Sequence, residues 1–152
     1  MNDPIVWILL FPLLGAVACG LSGSLAVRIA YPLAVMSMAG AAVASALTLV
    51  GALSSPLREV SYVLGSWSMD LFPRGVGIEF RADLLGALIA LVVTGVGFLV
   101  AVYSKVPVSR ETPGKEQSYY CLMLLQIAGL AGIPLTGDAF NLYVLKIGRA
   151  HV

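Results

Sequence analysis

The 152-residue chain contains 59% hydrophobic and 11% charged residues and carries a formal net charge of +1. Soluble domains carry roughly a quarter charged residues, so this composition and a mean hydropathy of +0.95 exclude an ordinary soluble domain and indicate a membrane protein. The small net charge and the lack of any basic run in the sequence argue against nucleic acid as a partner and against a polybasic lipid-binding patch.

Long uncharged stretches predict an all-α integral membrane protein with four complete transmembrane helices and the start of a fifth. Each complete stretch reaches the roughly 20 apolar residues that cross a hydrocarbon core about 30 Å thick. The predicted helices cover residues 5–25, 31–53, 84–104, 118–136 and, cut short, 138–145. A secretory signal peptide is the alternative for the first stretch, but Asn2 and Asp3 stand where a basic segment is expected.

Small residues four positions apart predict close helix packing inside the membrane. These pairs are Ala16 with Gly20, Gly40 with Ala44, and Ala128 with Gly132. Cys19 and Cys121 lie within predicted helices, where thiols act as small apolar packing residues. They therefore predict no disulfide framework.

The segment between the second and third helices alternates apolar and polar residues, as β-strands do. Val76, Ile78 and Phe80 alternate with polar or small neighbours, and residues 73–75 supply turn chemistry. This pattern predicts a short external hairpin, with an irregular amphipathic loop as the alternative. The segment 105–118 mixes charges with proline and glycine and is predicted to be a solvated connector.

Lysine and arginine in the loops predict the orientation of the chain. Arg28 and the 105–118 loop place four cations on one face of the membrane, whereas the 54–83 loop places three on the other. Because short cytoplasmic loops are enriched in Lys and Arg, the N-terminus is predicted to be external, by a margin of one cation.

Polar residues at membrane depth are the candidates for function, because an ionisable group is costly there and tends to face a cavity or a partner. Asp138, at the start of the fifth helix, could bind and release protons or ions. It could instead cap the helix by accepting hydrogen bonds from the free amides of the first turn. Asn141 lies one turn further on the same side and could anchor water with Asp138, or form an interhelix contact. Gln126, in the middle of the fourth helix, is a third candidate for a proton path; its default role is an interhelical hydrogen bond.

A charged triplet of Glu79, Arg81 and Asp83 leads into the third helix. Asp83 is expected to face Arg81 or to cap that helix, and its distance from the membrane centre argues against a central relay. The sequence has no Walker loop, CxxC, HExxH or GxSxG motif. We therefore expect no catalytic residue, no metal site and no cofactor in this chain.

Two stretches, WSMDLFPRGVGIEFRADLLGALIAL and YYCLMLLQIAGLAGIPLTGDAFNLYV, carry a family resemblance. Over residues 60–145 the chain resembles the antiporter-like membrane subunits of Mrp-type monovalent cation/proton antiporters, respiratory complex I and membrane-bound hydrogenases. It is most similar to the D subunit of the Mrp type. The resemblance implies a larger helix bundle with inverted repeats and a path of buried charges and water. It also implies partner subunits in a hetero-oligomeric complex of the cell membrane, with protons and monovalent cations as ligands.

The chain departs from the family pattern after its most specific element, GDAFNLYV. In the family this element typically continues as FFE, and the glutamate pairs with a lysine in a later helix. That acid would fall at Ile147, nine residues or about 13 Å along a helix from Asp138, so the chain lacks the family's central acid. A carboxylate at that depth would have its proton affinity set by the nearby lysine.

The sequence closes with KIGRAHV, which brings two cations and the single histidine of the chain. IGRAHV is the direct translation of ATCGGAAGAGCACACGTC, the start of a common sequencing-adapter read-through. We therefore expect residues 146–152 to be an artefact and residues 1–145 to be the N-terminal part of an antiporter-like domain. The alternative is a genuine basic end after about eight apolar residues, which are too few to cross a membrane.

Three functions stay open on these grounds. The first is the N-terminal part of an Mrp-type D subunit, which exchanges Na⁺ or another monovalent cation for protons and would not transport without the rest of its bundle. The second is a proton-pumping subunit of complex I or a membrane-bound hydrogenase, whose redox cofactors lie in other subunits. The third is a small standalone membrane scaffold.

Overall fold

A computed structural model describes residues 4–21, 26–55, 59–67 and 76–137. In chain order these form helix α1 (Pro4–Leu21), helix α2 (Ala26–Ser54), strand β1 (Glu59–Trp67), strand β2 (Val76–Asp83), helix α3 (Leu84–Tyr103), helix α4 (Lys105–Glu111) and helix α5 (Glu116–Gly132). A 3-10 turn, Ile133–Leu135, follows α5.

Four helices of the described part of the chain are long and apolar enough to cross a membrane: α1, α2, α3, and α5 together with its 3-10 turn. The predicted all-α integral membrane fold with four complete helices is therefore confirmed. The predicted fifth helix, residues 138–145, lies outside the described residues, as do residues 146–152.

Proline explains how the fourth span ends. The sequence predicted a helix to residue 136, but α5 ends at Gly132 and the tighter turn follows. Pro134 has no backbone N–H to donate and its ring crowds the preceding turn, so the chain leaves the α-helix and completes the span as a short 3-10 segment, which is common at helix ends.

The segment predicted as a connector instead contains α4, so this prediction was wrong for residues 105–111. Pro107 is tolerated because it falls in the first turn, where the amides have no partner inside the helix. Val108 is buried in the core, while Lys105 and Arg110 stay exposed. After α4, Gly114 adopts a φ of 78°, a left-handed conformation that glycine adopts readily, and the chain turns into α5.

Strands β1 and β2 pair antiparallel, which confirms the predicted hairpin pairing. Their register runs from Glu59 opposite Asp83 to Trp67 opposite Val76, with an irregularity between Leu64 and Trp67. The predicted turn at residues 73–75 lies outside the described residues. A backbone bridge also joins Phe80 of β2 to Thr136, so the segment after α5 returns to the hairpin.

The helices pack through many small side chains. α2 packs against α1 and α3, and α5 packs against α1. One core cluster lies beside the hairpin, and we call this side of the bundle the hairpin end; its members are Ile5, Ile8, Leu9, Ala44, Phe80, Ala82, Ala87, Ala90, Ala131 and Leu135. The cluster at the opposite, α4 end contains Ala16, Cys19, Ala30, Ala34, Met38, Ala101, Val108, Tyr120, Leu124 and Ile127. Alanine lets helix backbones approach closely where lipid supplies no hydrophobic driving force.

Candidate functional site

A cavity of about 540 Å³ opens at the hairpin end, between the hairpin, the start of α3 and the segment after α5. We call it the charged mouth; it is lined by Glu59, Arg81, Asp83, Pro134, Thr136 and Gly137. Two carboxylates and one guanidinium give these residues a formal net charge of −1.

Successive side chains of the hairpin strands point alternately to the core and to the charged mouth. Side chains two positions apart share one face of a strand, and Glu59 lies opposite Asp83 in the register, so Glu59, Arg81 and Asp83 occupy one face. Phe80 and Ala82 point the other way and are buried. The period-two pattern that predicted strands therefore also places three charges together.

Arg81 pairs with Glu59, one of the two carboxylates of the mouth. Its Nε donates a hydrogen bond to Glu59 Oε2 at 2.9 Å, and a second guanidinium N–H donates to the same oxygen. The side chains are 55% and 27% exposed, respectively. An ion pair with this much water contact contributes only about 0–1 kcal/mol, so its main effect is to fix where the charges lie.

Asp83 caps α3, which was one of its two expected roles. Its Oδ1 accepts a hydrogen bond from the amide of Gly86 at 2.6 Å, and its backbone is extended, as N-cap residues are. The carboxylate thereby satisfies an otherwise free amide and complements the positive end of the helix dipole. It remains exposed to the charged mouth.

The segment after α5 closes the mouth on its remaining side. The Pro134 carbonyl lies so close to α3 that a Cβ on Gly86 would be 2.5 Å from its oxygen. Thr136, bridged to Phe80, and Gly137 follow as lining residues. Asp138 and Asn141, the strongest candidates from the sequence, lie outside the described residues; Asp138 is the next residue after Gly137.

Gln126 is not part of the charged mouth. It is half-buried in α5, ten residues before Thr136, which corresponds to about 15 Å along a helix axis. Its predicted place near the middle of the fourth span agrees with its position in α5, and its role in a proton path stays a prediction. Of the five site residues predicted, the structure thus brings together Arg81 and Asp83.

Sequence reasoning missed Glu59 as the partner of Arg81. Only the strand register shows that a residue 22 positions earlier lies beside the guanidinium. Glu59 could have been found by pairing the two strands outward from the predicted turn. The exact turn residues were not known, so the register of the strands could not be fixed.

A polar link between two helices at membrane depth was also missed. Thr94 of α3 and Ser45 of α2 are both fully buried, and their hydroxyl oxygens lie 3.0 Å apart. Each hydroxyl also has a carbonyl acceptor four residues earlier in its own helix, Ala41 for Ser45 and Ala90 for Thr94, both at 2.8 Å. A hydroxyl donates one hydrogen bond, so while one of the two donates to its own carbonyl it can accept from the other. A lone serine or threonine in an apolar stretch does not reveal its partner.

In the ranges that the structure describes, no group of three or more His, Cys, Asp or Glu side chains could hold a metal ion. The charged mouth consists of oxygen acceptors and one fixed cation outside the hydrocarbon core. Such an arrangement can attract cations from water, because a negatively charged cleft raises the local concentration of cations.

Comparison with known proteins places the chain among antiporter-like subunits. No protein-family model matches it. It is 38% identical over 107 residues to the N subunit of NADH-quinone oxidoreductase from Desulforudis audaxviator. It is 37% identical over 82 residues to the D subunit of the Na⁺/H⁺ antiporter from Bacillus subtilis, and 36% over 83 residues to the D subunit of the probable K⁺/H⁺ antiporter from Rhizobium meliloti.

These alignments cover 70%, 53% and 55% of the chain, but 19%, 15% and 14% of the relatives, so the chain spans less than a fifth of their length. A chain in the membrane-bound sulfane sulfur reductase, an archaeal respiratory membrane complex, has the same fold, with a TM-score of 0.73 and 24% identity over 99% of this chain and 29% of its own. The chain is therefore a multi-pass membrane protein homologous to the antiporter-like subunits, as its sequence resemblance predicted.

Proposed function

We propose that the chain is the N-terminal part of a proton-translocating, antiporter-like subunit that exchanges Na⁺ or another monovalent cation for protons in a hetero-oligomeric membrane complex. The observation that carries the proposal is the charged mouth, whose last lining residue, Gly137, is the first residue of the family element GDAFNLYV. The named relatives, two of them the D subunits of cation/proton antiporters, support it.

The chemistry of the charged mouth assigns different roles to its carboxylates. Arg81 is engaged by Glu59, and Asp83 is engaged by the Gly86 amide, so these groups position the mouth and set its negative charge. We assign the titrating role to Asp138, which directly follows the lining residue Gly137. An acid at the edge of the hydrocarbon core can take a proton from water and pass it inward.

Location and partners complete the proposal. The charged mouth faces the external side of the cell membrane, because the loop cations favour an external N-terminus, and α1 begins at this same end. In this proposal Asn141 and Gln126 also take part in the proton path. The rest of the same subunit supplies the remaining helices and their buried charges, and other membrane subunits complete the complex.

The test is a transport assay on the full gene product, expressed with its neighbouring genes in bacteria that lack their own antiporters. In inside-out vesicles, adding Na⁺ or K⁺ should dissipate a pre-formed ΔpH, followed by a pH-sensitive dye. Asp138→Asn should slow this exchange. Glu116→Gln should not, because Glu116 is an acid in the first turn of α5, at the opposite end. Normal assembly without cation-dependent exchange would contradict the proposal.

A second candidate is a proton-pumping subunit of an NADH-quinone oxidoreductase. It is favoured by the relative from Desulforudis audaxviator, whose alignment of 107 residues is longer than the 82 residues shared with the antiporter relative from Bacillus subtilis. In the same vesicles this candidate predicts acidification driven by NADH and independent of added Na⁺ or K⁺. It also predicts that flavin and iron–sulfur subunits co-purify with the chain.

A further inference from the structure

The α4 end carries an open cavity of about 690 Å³ that the proposed function does not use. Its walls come from the end of α3 and from α4, and include Val102, Tyr103, Lys105, Val106, Arg110 and Glu111. The volume lies within the roughly 300–1,000 Å³ of small-molecule sites. We call this cavity the α3–α4 corner.

The α3–α4 corner lies where the third span leaves the membrane. The apolar run of α3 ends at Tyr103, and charged residues begin at Lys105. Tyr103 is 80% exposed, as suits an aromatic side chain at the headgroup level. Val102 and Val106 are also exposed. The corner thus has an apolar wall and a charged wall, as expected at a membrane–water boundary.

Contacts to α5 and α2 hold α4 in place. The buried hydroxyls of Ser104 and Tyr120 lie 3.3 Å apart at the junction of α3 and α4, and Val108 anchors α4 in the core. The Lys105 ammonium lies 5.1 Å from the centre of the Tyr31 ring, within the range of a cation–π contact. The cations of α4 are therefore displayed on a fixed helix.

The charges of the α3–α4 corner favour an anion. Lys105 and Arg110 outnumber Glu111, which leaves a formal net charge of +1. Neither cation forms an ion pair with another residue that the structure describes. A guanidinium can donate two parallel hydrogen bonds to phosphate oxygens, and an ammonium adds a mobile point charge.

We propose that the α3–α4 corner binds the phosphate of one anionic phospholipid, with the headgroup between Lys105 and Arg110 and acyl chains along Val102 and Val106. Two cations are fewer than the about 4–8 of a polybasic patch. The corner therefore retains a single lipid and does not recruit a membrane surface, which agrees with the small net charge of the chain. With the N-terminus external, the lipid belongs to the anionic cytoplasmic leaflet.

The test measures lipid retained by the full gene product, by native mass spectrometry after exchange into mixed phosphatidylglycerol and phosphatidylcholine. The wild type should retain phosphatidylglycerol preferentially. Lys105→Gln and Arg110→Gln should each weaken retention about 5-fold, and the double variant about 25-fold, since each cation contributes ~1 kcal/mol near an anionic surface. Added salt should also weaken retention.

Lys115→Gln is the matched control. Lys115 is an exposed cation that follows α4 in sequence but does not line the α3–α4 corner, so retention should stay unchanged. Equal retention of phosphatidylcholine, or an equal loss in Lys115→Gln, would overturn the proposal. Displacement of the lipid by millimolar inorganic phosphate would also overturn it, because the ligand would then be a soluble anion.

A charge-preserving variant separates binding from folding. The double variant Lys105→Gln/Arg110→Gln could lose lipid because it unfolds at a lower temperature. In that case the double variant Lys105→Arg/Arg110→Lys separates the loss of charge from the loss of folding. It keeps both charges and should retain phosphatidylglycerol, and loss of the lipid from a folded protein of this kind would refute the role of charge. Lipid retention is measured without transport, so the result does not depend on the proposed exchange activity.

Discussion

Replacing Gly86 by alanine tests the junction between α3 and the segment after α5. The new Cβ would lie 2.5 Å from the Pro134 carbonyl oxygen and 2.8 Å from Asp83 Oδ1, about 1 Å inside an unstrained contact of ~3.5 Å. A backbone carbonyl cannot rotate away as a side chain can, so α3 and the 3-10 turn must separate. Overpacking of this kind costs about 1–3 kcal/mol, and Gly86 lies in the first helical turn, where alanine's propensity gain is small. We expect a net loss of about 1–2 kcal/mol.

The matched control is Gly95→Ala in the same helix. Apart from its chain neighbours and the nearby backbone of its own helix, no atom lies within 4 Å of a Cβ at Gly95. The variant should therefore gain up to about 0.5–1 kcal/mol from lower backbone entropy in the unfolded chain. Reversible unfolding by sodium dodecyl sulfate, followed by circular dichroism, gives both free energies. If Gly86→Ala proves as stable as Gly95→Ala, Pro134 does not abut α3 and the described wall of the charged mouth is wrong.

Three further substitutions test contacts elsewhere. Thr94→Val should lower the free energy of unfolding by about 0.6 kcal/mol, and by at most about 1.7 kcal/mol, because hydrogen bonds between membrane helices contribute about this much on average. The same unfolding assay measures the loss. As the double-mutant control, Thr94→Val should cause no loss when Ser45→Ala is already present. Asp83→Ala should cost about 1 kcal/mol through loss of the α3 cap, whereas Asp83→Asn should keep most of it; an equal loss in both would argue against capping. Tyr120→Phe removes a buried hydroxyl next to Ser104 and should cost about 0.5–1.5 kcal/mol, measured as a lower thermal midpoint; an unchanged midpoint would show that the contact does not anchor α4.

The four spans and the paired strands were predictable because each depends on a local pattern. A run of about 20 apolar residues has few other stable arrangements. Alternation in residues 76–81 predicted the strand in which Phe80 is buried and Arg81 is exposed. Asp83 at the start of α3 was likewise predictable, because a capping carboxylate acts on amides only three residues away.

Features that depend on distant residues were not predictable from the sequence. Residues 105–111 contain a proline and three charges and read as a connector; packing of Val108 stabilises them as a helix. Glu59 joins Arg81 only through the strand register. Isolated helices this short are marginal, and cross-strand pairs require a known turn, so local composition could not decide either case.

The bridge between Phe80 and Thr136 has a mechanical consequence. It ties the segment after α5 to the strand whose outer face carries Arg81 and Asp83. Leu135, one residue before Thr136, packs in the same core cluster as Phe80 and Ala82. A displacement of the end of α5 would therefore also move the strand that carries these charges, because closely packed interiors transmit strain.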